Sequence, residues 1–192
     1  MKILKSLVLV LALSVAAYAQ TEDLGMGAFA NEKGPILIVV DSAMVDLQLE
    51  SPYVMFVAYF AAKDHNQSYV IDRKDVVMVY KGQEYHLPTV KELRENYRGG
   101  IHDVDFYRHL GKEGLIASWA RFYNFYQRSD FFPTLTLGSD LPADQGSLSG
   151  FIGFRTKLYF KNPGLKKGDK LTIKVRDKKN PQATGEVDIT IE

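Results

Sequence analysis

The chain contains no cysteine. That excludes thiol catalysis, thiolate zinc sites, cysteine-ligated clusters, disulfide staples and a lipidated cysteine near the N-terminus. Charge of either sign is not in excess: 24 Lys plus Arg stand against 23 Asp plus Glu, for a formal charge of +1. Such a balance gives no reason to expect nucleic-acid binding. Histidine is scarce, with four in 192 residues. The phosphate-cradling patterns G-x-x-x-x-G-K-[ST] and G-x-G-x-x-G after a strand are missing, as is H-E-x-x-H. Gly146-Ser147-Leu148-Ser149-Gly150 fails the G-x-S-x-G template, because Leu148 holds the nucleophile position. Apolar residues make up 46% and charged residues 24%, which describes a chain able to build a core rather than a disordered one.

The first hydrophobic run is short. Lys2 and Lys5 precede an apolar stretch from Leu7 to Ala17, and Ala17-Tyr18-Ala19 places small residues where a signal peptidase reads them. Residues 1–19 are therefore expected to be a signal peptide cleaved before Gln20, leaving no transmembrane segment. The product would be exported, periplasmic or secreted. Cleavage removes two lysines and no acid, so the exported form would carry −1. Without disulfides, a hydrophobic core must hold it together.

Residues 20–34 are polar and aperiodic, and read as a flexible arm. The domain is expected over 35–192. Ile36–Val40 is a short β-branched run. Ala43, Val45, Leu47 and Leu49 alternate with polar residues, which predicts a half-buried strand. Residues 52–62 are apolar at both parities and predict a central strand covered on both faces. Val76–Tyr80 and Glu84–Leu87 flank Lys81-Gly82, a hairpin signal. Thr89-Val90-Lys91-Glu92 matches a capping box. Leu115, Ile116, Trp119, Phe122, Tyr123 and Tyr126 share one face at helical spacing. A helical insertion is therefore expected at about 88–132, followed by a loop at 135–150. Alternating strands resume at Phe154–Phe160, Leu171–Val175 and Val187–Ile191.

The stretch Gly150-Phe-Ile-Gly-Phe-Arg-Thr-Lys-Leu-Tyr-Phe-Lys-Asn-Pro-Gly-Leu-Lys-Lys-Gly-Asp-Lys-Leu-Thr-Ile-Lys-Val175 resembles the closing strands of immunoglobulin-like sandwich domains in exported bacterial proteins. The resemblance covers 26 residues and extends to the strand pattern of Ala43–Tyr80. It implies a mainly β, antiparallel, immunoglobulin-like β-sandwich with a non-enzymatic role, and the helical insertion departs from it. No catalytic residue carries over.

Three features remain as candidate sites. His102, Asp105 and His109 lie at i, i+3 and i+7, where one helix face could hold a metal; His102 precedes the expected cap Asp103, so a solvated helix face explains them better, and no metal or cofactor is expected. The aromatic cluster Trp119, Phe122, Tyr123, Phe125, Tyr126, Phe131 and Phe132 is expected to pack on the sheet, with Phe125 off the stripe and free to meet a ligand. From Arg155 to Lys179 the net charge is +8. Edge protection accounts for the strand lysines. Lys166, Lys167, Lys178 and Lys179 fall in turns and could form a stripe for an anionic envelope component or an acidic protein. The expected function is an exported interaction or structural module of the cell envelope. The alternatives are an exported binder of saccharide, lipid or peptide using the aromatic insertion, and a metal-dependent hydrolase.

Overall fold

The computed structural model describes residues 21–97, 103, 107, 113–127, 130–132 and 142–192. The expected signal peptide lies outside the described residues. Strands take up 48% and helices 15% of the described residues, so the fold is mainly β, and its two sheets are antiparallel except at one short pair. The larger sheet is a curled half-barrel. It runs β1 (Glu22–Gly25), β2 (Ala28–Asn31), β3 (Ile36–Asp41), β4 (Tyr53–Ala62), β10 (Ile152–Lys161), β9 (Gln145–Ser149) and β5 (Ser68–Asp72). A further strand, β8 (Asn124–Gln127), joins β10 in parallel. The smaller sheet runs β12 (Thr184–Thr190), β11 (Lys170–Arg176), β6 (Val76–Tyr80) and β7 (Gln83–His86). No helix among the described residues is long and apolar enough to cross a membrane.

The sequence pattern explains the centre. β4 is apolar at both parities and every residue of it is buried, between β3 and β10. One parity carries Phe56 and Phe60, on the side where Ile36 meets Gly185 of β12. The other carries Tyr53 and Tyr59. These meet Tyr97 at 5.6 Å and Phe125 at 5.2 Å between ring centroids, so the excursion after β7 covers that face. In the smaller sheet, Leu171, Ile173, Val175, Val187 and Ile189 point inward, while Lys170, Lys174 and Asp188 are solvated. The β6–β7 hairpin forms at Lys81-Gly82, both with positive φ (51° and 78°), as a two-residue turn of this twist requires. Helix α1 (Val90–Asn96) begins at Thr89, whose Oγ1 accepts the Glu92 N–H at 3.0 Å.

Four expectations are corrected. Residues 21–34 are not a loose arm: β1 and β2 pair there, and Asn31 Nδ2 donates to the Glu186 carbonyl at 2.8 Å, so the folded body starts well before residue 35. Val45–Gln48 is a 3-10 turn rather than a strand. Asp41 Oδ1 accepts the Ala43 N–H, which ends β3, and Gln48 turns inward to accept the Met55 N–H at 2.7 Å. Leu47, expected inside, is 57% exposed.

Helix α2 (Glu113–Trp119) stops before the aromatic stripe is complete. The Asn124 N–H donates to the Phe151 carbonyl at 2.7 Å, and pairing with β10 takes over the backbone bonds that a longer helix would have made. Residues 145–149, expected in a loop, form β9 against β5. Gly146 is required there, since a Cβ would run into the Phe154 ring.

Candidate interaction surface

Four connections converge at the end of the sheet where β3 and β10 begin. They are 32–35, 63–67, 121–123 and 150–151. Their backbones are tied together. The Lys63 N–H donates to the Pro35 carbonyl at 3.0 Å, and the Gly150 N–H to the Gln67 carbonyl at 3.0 Å. Gly150 has φ +59° and sits so close to His65 that a Cβ would stand 3.0 Å from its carbonyl oxygen. The tight turn drives Phe151 and Ile152 outward.

Rings cluster on this frame. Phe151 lies 5.6 Å from Tyr123, edge to face, and 6.0 Å from the His65 imidazole. Phe122 is 70% exposed, with the Arg121 guanidinium 4.7 Å from its centroid. Phe151 and Ile152 are each 44% exposed. A cavity of 490 Å³ is lined by Arg121, Phe122, Tyr123, Asn124 and Phe125. Burial, and then the Glu32 carboxylate, push the Tyr123 hydroxyl up from its ordinary pKa. It stays a neutral donor at this end. Exposed aromatic faces beside a guanidinium suit stacking and cation–π contacts with a partner.

Of the expected site residues, Phe125 lines this cavity and the turn lysines lie apart from it. Phe125 is half-buried and stands edge-on to Tyr59; the ring turned to solvent is Phe122. Periodicity placed Phe122 on the buried stripe because it assumed the helix continues through residue 126. The usable signal was Gly150 followed by two large apolar residues, Phe151 and Ile152.

The turn lysines occupy opposite ends of β11, as their spacing implied. Seven residues separate the ends by about 20 Å. Lys178 Nζ lies 3.4 Å from Asp72 Oδ2 and donates to Gln145 Oε1 at 3.2 Å. The Lys179 N–H donates to Asp177 Oδ2. Lys166 and Lys167 precede Asp169. The Asp169 carboxyl is held below the usual carboxylate range by hydrogen bonds from the Tyr80 hydroxyl at 2.7 Å and from the Lys166 N–H at 2.8 Å. Much of the basic run is also paired: Lys157 with Asp130 at 3.0 Å, Lys174 with Glu186 at 3.4 Å and Arg176 with Asp75 at 2.7 Å.

His102, Asp105 and His109 lie outside the described residues. Among the described residues, no group of three His, Asp or Glu is placed to hold a metal.

A buried polar cluster pins the helical excursion to the sheet. The Tyr97 hydroxyl donates to Asp103 Oδ2 at 2.9 Å, Tyr159 donates to the same oxygen at 3.3 Å, and Gln48 Nε2 donates to the Tyr97 oxygen at 3.2 Å. These groups satisfy one another away from solvent, which fits an anchoring role.

Protein-family models, curated proteins and solved structures give no match to this chain.

Proposed function

We propose that this chain is an exported, non-enzymatic interaction module of the cell envelope, an immunoglobulin-like sandwich that meets its partner through the aromatic end. The observation that carries this reading is the exposure of Phe122 and Phe151 on connections braced by backbone hydrogen bonds, with Ile152 exposed at the start of β10. Large apolar side chains grouped in solvent cost solubility and recur at contact surfaces. Loops held by a rigid sheet are where such surfaces are built.

The test is a pull-down of the exported protein from envelope extract, beside a Phe122→Ser/Phe151→Ser double variant. The wild type should retain a partner that the variant loses. A partner held equally by both places the contact elsewhere and removes this reading.

A second reading is favoured by the open depression of 490 Å³ beside Phe122 and Tyr123: an exported protein that binds a saccharide, lipid or peptide directly. Titration with defined glycans, short peptides and lipid micelles, followed through tyrosine emission, separates it from the first.

A further inference from the structure

Four strands end the strand paths of the two sheets, β1, β5, β12 and β7; β8, which pairs β10 off that path at two positions, is a further short edge. Three of the four are blocked against further pairing. β1 carries a bulge between Asp23 and Gly25. On β5, the Val70 N–H donates to Asp177 Oδ1 at 2.6 Å and the Val70 carbonyl accepts the Lys178 N–H at 2.7 Å, so the β11–β12 turn caps that edge. On β12, the Glu186 carbonyl accepts from Asn31 Nδ2 and the Asp188 N–H donates to Thr21 Oγ1, both at 2.8 Å. β7 has none of these devices. Its residues Gln83, Glu84 and His86 are exposed, it has no bulge, and no lysine or proline interrupts it. Among the described residues, no side chain bonds to its outer backbone.

The hairpin fixes which groups face outward. Tyr80 and Gln83 flank a two-residue turn and form the hydrogen-bonded pair. Antiparallel alternation then aims the amides of Gln83 and Tyr85 at β6, and those of Glu84 and His86 away from it. The side chains of Glu84 and His86 share the outer face, opposite Val79 and Val77. A strand presenting Glu84 and His86 on one face, both with outward backbone groups, is self-complementary about Tyr85. A two-fold axis there sets each Glu84 opposite His86 of a second copy as a hydrogen-bonded pair. It sets Tyr85 opposite Tyr85. A register centred on Glu84 would oppose like charges instead.

We infer that the β7 edge is a homodimer interface, in which two copies pair antiparallel about Tyr85 and join their four-stranded sheets into one. The interface is isologous, as two-fold symmetry demands. It is distinct from the aromatic end, and it stands whether or not that surface binds a partner.

The absence of cysteine makes the test direct. Opposed residues of a non-hydrogen-bonded pair have Cα atoms about 4.5 Å apart, within the range a disulfide spans. Tyr85→Cys should therefore give a covalent dimer under mild oxidation. Gln83→Cys should not, because the two copies of residue 83 would lie about 14 Å apart.

Sedimentation velocity over a concentration series supplies the reversible measurement. The wild type should associate. His86→Glu should weaken association about tenfold by opposing carboxylates twice. The exchange Glu84→His/His86→Glu should restore it. Melting curves confirm that each exposed-site variant is folded. A wild type that stays monomeric throughout overturns the proposal. So does equal cross-linking at residues 83 and 85, or failure of the exchange to recover association.

Discussion

Asp177 Oδ1 accepts the backbone N–H of Val70 at 2.6 Å, across 107 positions of sequence. The other oxygen of the same buried carboxylate accepts the N–H groups of Lys179 and Asn180 at 3.1 and 2.7 Å. One side chain thus shapes the β11–β12 turn and fastens the smaller sheet to the larger. Asp177→Ala leaves three backbone donors without their acceptor, and should cost about 2–4 kcal/mol. Urea unfolding measures it. A loss below about 0.5 kcal/mol would mean that water replaces the carboxylate freely.

Trp119, the only tryptophan, is half-buried at the end of α2, and its Nε1–H donates to Glu22 Oε2 at 3.0 Å. Full burial would make truncation to alanine cost about 3–5 kcal/mol. With part of the ring in solvent, Trp119→Ala should cost about 1–2 kcal/mol. Glu22→Gln should shift the emission of the single indole while leaving melting nearly unchanged. Emission insensitive to that change would show that β1 does not hold the indole in solution.

Alkaline pH probes the buried cluster. Burial first, and then the Asp103 carboxylate, raise the Tyr97 and Tyr159 hydroxyls well above the ordinary tyrosine value; burial does the same for Tyr107. An unfolded tyrosine titrates near pH 10. Between that value and the higher folded one, the folded chain keeps protons that the unfolded chain has released. Stability is therefore whole below about pH 10 and falls as pH rises beyond it. Melting temperature should fall increasingly steeply as pH rises past about 10, and less steeply in Tyr159→Phe, which removes one of the linked protons. Parallel slopes in the two proteins would show that Tyr159 ionises normally in the folded state.

What the sequence made legible follows physical lines. β3, β4, β6, β10, β11 and β12 announce themselves because burial on one or two faces is written directly into the side chains, whereas β7, mostly exposed, was legible from the Lys81-Gly82 turn before it. The capping Thr89 was visible for the same local reason. Three misreadings share a different cause, since tertiary hydrogen bonds decided them. Gln48 is drawn inward by the Met55 N–H, Asn124 is drawn into a strand by the Phe151 carbonyl, and Gly146 is placed in a strand because Phe154 needs its space. β5 was missed altogether, since Ser68–Asp72 is short and capped by residues more than a hundred positions away. The candidate surface was half legible. The ring-rich stretch was found, but the exposed ring is Phe122, and Phe151 and Ile152 were read only as part of a strand.

The last expectation separates binding from folding at the aromatic end. Phe122 projects into solvent and rests on Arg121, so Phe122→Ser removes little buried area. It should change stability by less than about 0.5 kcal/mol. Phe132 is fully buried, edge-on to Tyr159 at 5.5 Å with the Arg73 guanidinium 5.7 Å from its centroid, and Phe132→Ala should cost about 3–5 kcal/mol. Partner retention should follow the opposite order: lost in Phe122→Ser, and kept in Phe132→Ala at temperatures where that variant remains folded. Natural selection has no stability reason to keep a phenylalanine where serine would do as well, so such a crossing of effects would assign Phe122 to contact. If Phe122→Ser instead melts as early as Phe132→Ala, the ring is part of the core in solution, and the aromatic end loses its standing as a surface.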